Sequence, residues 1–420
     1  MREAAVSDVD VFVRRESQVR SYCRSFPAVF RSARGAVLIA EDGSEYLDFL
    51  CVAGAANYGH NDPVLKDAVL RYLAEDGVLA SLDLHTVAKR AFLEAFERLI
   101  LKPRGLPHRV QFTGPTGTNA VEAALKAARK ATGRSTILAF TNGYHGMSLG
   151  ALAATGNAQA RRGAGVPLAH TVFARFDGYG EGDSLALLER QLDDPSGGID
   201  LPAAAIVETV QGEGGCNAAS WRWLERLAYL LHTRGILLII DDVQAGCGRT
   251  GTFFSFERAG IAPDLIVLSK SIGGLGLPMS LLLLRPELDL WQPGEHNGTF
   301  RGNNLAFVAA RAAIERYWTD GAFAQGVQAR GDIIRARIER MAARHRGLSY
   351  TGRGLLAGLR CSDPARAEAI SRLAYRRRLI IERCGPHDEV VKTMPPLNIP
   401  IEQLHEGLDR LERTVDETMP

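Results

Sequence analysis

Ile236-Leu-Leu-Ile-Ile-Asp-Asp-Val-Gln244 decides how this chain folds. Its apolar run lacks polar alternation, the pattern of a strand covered on both faces. It ends on a carboxylate, Asp241, which is costly to bury without a partner. A protonated ring nitrogen is one partner; an arginine, or a cap on the next element, is another. Similar short apolar runs occur at 110–112, 136–140, 171–173, 203–207 and 265–268. Between them lie segments of helical period. Residues 119–130 carry Val121, Ala124, Leu125 and Ala128 on one face, and 221–232 read alike. Alternating buried strands and helices predict an α/β domain with a largely parallel sheet.

The flanks differ. Residues 20–60 read as short strands with turn signals at Arg34-Gly35 and Glu41-Asp42-Gly43. Beyond 305 come long helices (305–318 and 325–345), strand-like segments at 354–360 and 378–383, and a final helix from about 402. The expected division is 1–60 and 305–420 forming a smaller α+β domain around a large domain at 61–304. A length of 420 residues allows two or three domains.

With 46% hydrophobic and 23% charged residues, the composition is that of a globular protein and argues against disorder. Fifty basic against 48 acidic residues give +2 with no basic stripe, so no nucleic-acid partner is expected. Cysteines 23, 51, 216, 247, 361 and 384 form no Cys-x-x-Cys pair, so no metal site is expected. Residues 1–10 lack the apolar core of a signal peptide, and no apolar stretch approaches the ~20 residues of a membrane helix. The expectation is a cytoplasmic protein without a membrane partner.

Ligands of open parallel sheets bind beyond the carboxyl ends of the strands. After 110–112 comes Thr113-Gly-Pro-Thr-Gly-Thr-Asn119, where glycines and a helix N-terminus suit a phosphate. An ordinary turn capped by Thr118 fits the same residues. After 136–140 comes Thr141-Asn-Gly-Tyr-His-Gly146, whose Tyr144 can stack on a planar ring or serve as a rim residue. After 265–268 comes Ser269-Lys270, an amine that burial can turn into a nucleophile. Phosphate cradle, ring stack, carboxylate and amine together match the four handles of pyridoxal 5′-phosphate. Gly246-Cys-Gly-Arg-Thr-Gly251 has the spacing of a dinucleotide loop, but no helical period follows it.

Over nearly its whole length the sequence resembles the class III aminotransferases of pyridoxal-phosphate fold type I. Within them it resembles the diaminobutyrate–2-oxoglutarate group, including enzymes of ectoine biosynthesis. The resemblance is carried by Val19-Arg-Ser-Tyr-Cys-Arg-Ser-Phe-Pro27, by 112–124, by Tyr144-His-Gly-Met-Ser-Leu-Gly150 and by Glu208-Thr-Val-Gln-Gly-Glu-Gly-Gly215. The stretches 241–252, Ser269-Lys270 and Gly294-Glu-His-Asn-Gly-Thr-Phe-Arg-Gly-Asn-Asn304 complete it. It implies a seven-stranded, mainly parallel sheet with a smaller α+β domain from both chain ends.

The resemblance implies Lys270 as the Schiff-base lysine and Asp241 as the partner of the ring nitrogen. It places Gln244 near the ring hydroxyl, Tyr144 on the ring, and Gly117 and Thr118 at the phosphate. His145 and Glu208 join the cofactor-binding set through the motifs that hold them. Thr299 resembles a threonine supplied by the neighbouring subunit, which implies a homodimer, with some relatives tetrameric. Two departures bear on substrate. Met147 stands where ornithine-type relatives carry arginine, and Lys392 where relatives carry a carboxylate-binding arginine. Lysine lacks the arginine fork. A Glu213–Lys392 pair is expected as a gate between two substrates. Amino-acid and 2-oxo-acid substrates follow, with diaminobutyrate and glutamate/2-oxoglutarate leading. Another ω-amine substrate, an aminomutase or other non-transaminating reaction, and a ligand-binding regulator remain open at this point.

Overall fold

The computed structural model describes residues 10–418; residues 1–9, read above for their lack of an apolar core, lie outside the described residues. Strands β1 (Phe30–Arg34), β2 (Val37–Ala40) and β3 (Glu45–Asp48) form an antiparallel meander around the turns expected at 34–35 and 41–43. The central sheet takes β4 (Arg109–Gly114), β5 (Ile137–Phe140), β6 (Thr171–Ala174) and β7 (Ala204–Val207). After a small hairpin, β8 (Val210–Gln211) and β9 (Asn217–Ala218), it adds β10 (Leu237–Asp241), β11 (Leu265–Leu268) and β12 (Ser280–Leu284). The seven strands lie in the order β4-β12-β11-β10-β7-β5-β6. Only β12 runs against the others, pairing antiparallel with both neighbours. The carboxyl ends of β4, β5, β7, β10 and β11 therefore meet along one edge.

Two features of this sheet differ from the sequence reading. The strand β12, Ser-Leu-Leu-Leu-Leu, has no counterpart in it, because a leucine run suits helix and strand alike. The runs at 110–112 and 171–173 are only partly buried, since β4 and β6 are the outer strands. The inner strands β5, β7, β11 and β12 are buried throughout.

Successive side chains of a strand point to opposite faces, and β10 shows what that does here. Ile239 joins an alanine-rich layer with Ala120, Ala124 and Ala128 of helix Gly117–Thr132. Ile240 joins the opposite layer with Phe140, Leu224 and Leu227. Small side chains let helix Gly117–Thr132 lie close on the sheet, which brings its N-terminus to the strand ends.

The two ends of the chain share one core. Strands β13 (Leu348–Arg353), β14 (Leu356–Cys361), β16 (Glu382–Cys384) and β17 (Val390–Thr393) form a second sheet, while β15 (Leu379–Ile380) pairs parallel with β3. The segment expected at 378–383 is thus two short strands in different sheets. Helices Asn304–Tyr317, Ala322–Arg344, Pro364–Arg376 and Ile401–Thr418 match the long helical patterns or pack around them. Leu47 and Phe49 from the first end are buried with Ile334, Leu379, Leu404 and Leu408 from the second. No described helix is long and apolar enough to cross a membrane, and no described group of His, Cys, Asp or Glu could hold a metal ion.

Phe49 fastens the two ends together. Its ring is fully buried, its N–H donates to Ile380 and its carbonyl accepts from Met394, each at 2.9 Å. A Cβ at Gly407 would run into that ring. Phe49→Ala should cost ~3–5 kcal/mol of local stability and lower the first melting transition. An unchanged denaturation profile would contradict this junction.

Candidate active site

Glycine at two positions lets the strand ends and the helix meet. A Cβ on Gly117 would lie 2.9 Å from Val243 Cγ1, so the helix start packs on the segment after β10 only as glycine. Gly146, with φ of 129°, abuts Thr118 with no room for a Cβ. The helix is capped by Thr116, not Thr118: Asn119 Oδ1 accepts from the Thr116 N–H at 3.2 Å and from its hydroxyl at 2.9 Å. Thr118 lies in the first turn and pairs with the Ser148 hydroxyl at 2.6 Å.

A cavity of about 280 Å³ opens at this edge, lined by Gly117, Thr118, Tyr144, Asp241, Gln244 and Lys270 among others. His145, Glu208, Glu213 and Met147 also line it. Lys270 follows β11 and takes φ of 53°, a left-handed conformation that non-glycine residues adopt at a cost. No hydrogen bond or ion pair holds its amine to the described residues. Burial depresses the Lys270 pKa and Lys392 adds to this, against the pull of Glu213. A loop bonded to Gln244 is strained as well. Cys51, Val52 and Ala53 all take positive φ, and the Ala53 carbonyl accepts from Gln244 Nε2 at 3.1 Å.

Asp241 finds its protein partner in a histidine, not in an arginine. Its Oδ2 lies 2.7 Å from His145 Nδ1, and its Oδ1 accepts from the Val243 N–H at 3.1 Å. Burial opposes a charge on His145, but the Asp241 carboxylate overrides it and raises the His145 pKa. Glu208 braces the same loop, accepting from the N–H groups of Tyr144 at 2.9 Å and Gly212 at 3.2 Å. Burial lifts the Glu208 carboxyl to about 7, with His145 opposing and Asp241 adding to it.

The expected Glu213–Lys392 pair is present at 2.8 Å. The sequence reading missed its third member, Glu382, whose Oε1 lies 2.9 Å from Lys392 Nζ. The signal was there: Leu379-Ile-Ile-Glu382 ends an apolar run on a carboxylate, as β10 does. Despite burial, Lys392 and Lys270 draw the Glu213 carboxyl down to about 2. Burial likewise opposes the Lys392 charge, yet Glu213 and Glu382 hold its pKa well above the usual lysine range. Thr299 is not brought to this site; it stands exposed on the turn Thr299–Arg301, outside the cavity lining.

The donor set fits pyridoxal 5′-phosphate. Buried His145 Nε2 and Gln244 Oε1 lack hydrogen-bond partners, so the pocket offers polar atoms that its own residues leave unsatisfied. The helix N-terminus offers N–H groups to a phosphate, Asp241 retains acceptor capacity for a ring N–H, and Lys270 offers a free amine.

The aminotransferase class-III family profile matches residues 20–415. The chain is 54% identical to the diaminobutyrate–2-oxoglutarate transaminase of Nocardia farcinica over 98% of this chain and 94% of that one. It is 55% identical to the Streptomyces anulatus protein of the same name, over 98% of each. An ornithine aminotransferase structure from Toxoplasma gondii, described with partial occupancy of pyridoxal phosphate, superposes with a TM-score of 0.84 at 24% identity. It covers 99% of this chain and 96% of its own.

Asp242, beside Asp241, is a different kind of carboxylate. It is fully buried, accepts from the Ser255 N–H at 3.0 Å, and burial pushes it up to about 7. Such a group keeps its proton to higher pH in the fold than in the unfolded chain, so stability falls as pH climbs from about 4 to about 7. Asp242→Asn removes this loss. Its melting temperature should exceed that of the unaltered protein by a few degrees at pH 8, on the order of 2–4 kcal/mol, with a smaller gain near pH 4.5. An equal gain at both values would contradict the raised carboxyl.

Proposed function

The chain belongs to the class-III aminotransferases, and from that premise we propose that it exchanges the terminal amino group of L-2,4-diaminobutyrate with 2-oxoglutarate. The products in that direction are L-aspartate 4-semialdehyde and L-glutamate. The enzyme class and its dependence on pyridoxal 5′-phosphate follow from the family. The substrate rests on relatives of 54–55% identity across almost the whole chain. The observation that carries the chemistry is the half-buried Lys270 amine, unpaired among the described residues, in one cavity with Asp241 and Tyr144.

When bound, pyridoxal 5′-phosphate supplies an aldehyde to carry the amino group and a ring to accept electron density. Gly117 and Thr118, at the helix start, would bind its phosphate. Tyr144 would lie against the ring, and Gln244 would face the ring hydroxyl. Asp241, oriented by His145, would hold a proton at the ring nitrogen. Lys270 would hold the aldehyde, and its Nζ, once freed by an amine substrate, would take the proton from the amine-bearing carbon and deliver it to the carbon on the other side of the nitrogen. Glu208 keeps the Tyr144 loop at the required height. Glu213 and Lys392 receive the part of the substrate that does not react, with Glu213 moving aside for a carboxylate.

The active unit in this reading is a homodimer in which Thr299 of one protomer completes the phosphate site of its partner. The exposed position of Thr299 in the single chain supports that arrangement. The chain divides at 60 and 304, with both ends forming the smaller domain, and it works in the cytoplasm.

Lys270→Ala should reduce steady-state conversion of diaminobutyrate and 2-oxoglutarate by at least ~10³-fold, with the fold retained by melting temperature. Near-normal turnover would rule out Lys270. Glu213→Ala should change the rates with diaminobutyrate and with glutamate unequally; an equal loss in both would remove the gate.

A further inference from the structure

Lys392 is held by two carboxylates that differ in how they are anchored. Glu382 stands on β16 directly across from Lys392 on β17, a registered cross-strand pair. The strands fix the partners, and Glu382 is almost wholly enclosed. Glu213 sits instead on the turn between β8 and β9 and lines the cavity, with its side chain 32% exposed. One carboxylate is fixed, and the other is placed to move.

The charges of this group do not balance. With both carboxylates ionised, two share one ammonium and the triad carries a net charge of −1 at the cavity edge; burial raises the Glu382 pKa, and the charge of Lys392 opposes that rise. Buried charge acts strongly there and favours a compensating charge in the ligand. The two amino donors of the proposed reaction differ in this respect. Diaminobutyrate, with two ammonium groups and one carboxylate, carries +1. Glutamate, with one ammonium group and two carboxylates, carries −1.

We infer that Glu382, acting through Lys392, is a positioning residue that sets the cavity one charge towards the negative and so favours the diamino acid over its acidic counterpart. With Glu213 in place the cavity accepts the extra ammonium of the diamino acid. With Glu213 displaced, Glu382 still pairs Lys392, so the lysine is never left as an isolated buried cation, whose cost would oppose the displacement. The inference rests on the reading of diaminobutyrate as the amine substrate.

The test is Glu382→Gln and Glu382→Asp in the cofactor-loaded enzyme, with each half-reaction followed by cofactor absorbance. For Glu382→Gln, KM for diaminobutyrate should rise about tenfold while KM for glutamate falls severalfold, the size expected for one charge at this range. Glu382→Asp should keep the original order. Parallel losses for both donors, or no change in their ratio, would overturn the inference. If Glu382→Gln fails to fold, the unaltered enzyme decides. It should prefer diaminobutyrate to 4-aminobutyrate, the same amine without the α-ammonium, by at least about tenfold in kcat/KM, and equal use of the two would overturn it. If the unaltered enzyme transaminates a different diamine only, the substrate reading falls, and the same comparison with that diamine judges Glu382. Use of no diamine at all overturns both.

Discussion

Asp241 ends a strand whose preceding residues are almost entirely buried, and the surroundings are arranged to keep that carboxylate where it is. A carboxylate there needs polar partners or it would be expelled or protonated. His145 supplies one at 2.7 Å, and the turn into Val243 supplies another. His145 is held in turn by its own N–H on the Thr155 hydroxyl, at 3.0 Å. The loop carrying Tyr144 hangs from Glu208 at the end of β7. The ends of β5 and β7 therefore contribute groups that keep one charge inside the protein.

The smaller part of the fold reaches into this arrangement through Lys392. Its strand, β17, belongs to the sheet built near the end of the chain, yet its ammonium meets Glu213 from the turn after β8. Glu213 also accepts from Gln244, which bonds the strained loop at 51–53. A path of direct hydrogen bonds thus joins the first end of the chain, the central sheet and the last sheet at the cavity wall. Strain in the 51–53 loop and burial of Lys392 both cost stability. Phe49 and its enclosing core hold the surrounding backbone in place.

Much of this was legible in the residues. Asp241 and Lys270 stand out because each comes at the end of an apolar run that the sheet buries. The parallel sheet follows from repeated short runs separated by helical periods. What escaped the reading depends on contacts between distant segments. That His145 pairs with Asp241 is set by how β5 and β10 lie in the sheet, and no local pattern encodes it. Strand β12 is a run of leucines whose identity as a strand comes from its neighbours β4 and β11. The cap of helix Gly117–Thr132 fell two residues earlier than Thr118, because Asn119 bonds back to Thr116. Glu382 carried the same signal as Asp241, but that it faces Lys392 depends on the pairing of β16 with β17, which no local pattern encodes.

The central claim is that one cavity, with Lys270 at its centre, takes an amino group from one substrate and gives it to another. The most direct measurement mixes the cofactor-loaded protein with L-2,4-diaminobutyrate alone and follows cofactor absorbance, then adds 2-oxoglutarate. The account predicts a single conversion, stoichiometric with the protein, that reverses on the second addition. No change with the amine, or continued product formation before any acceptor is added, would contradict it.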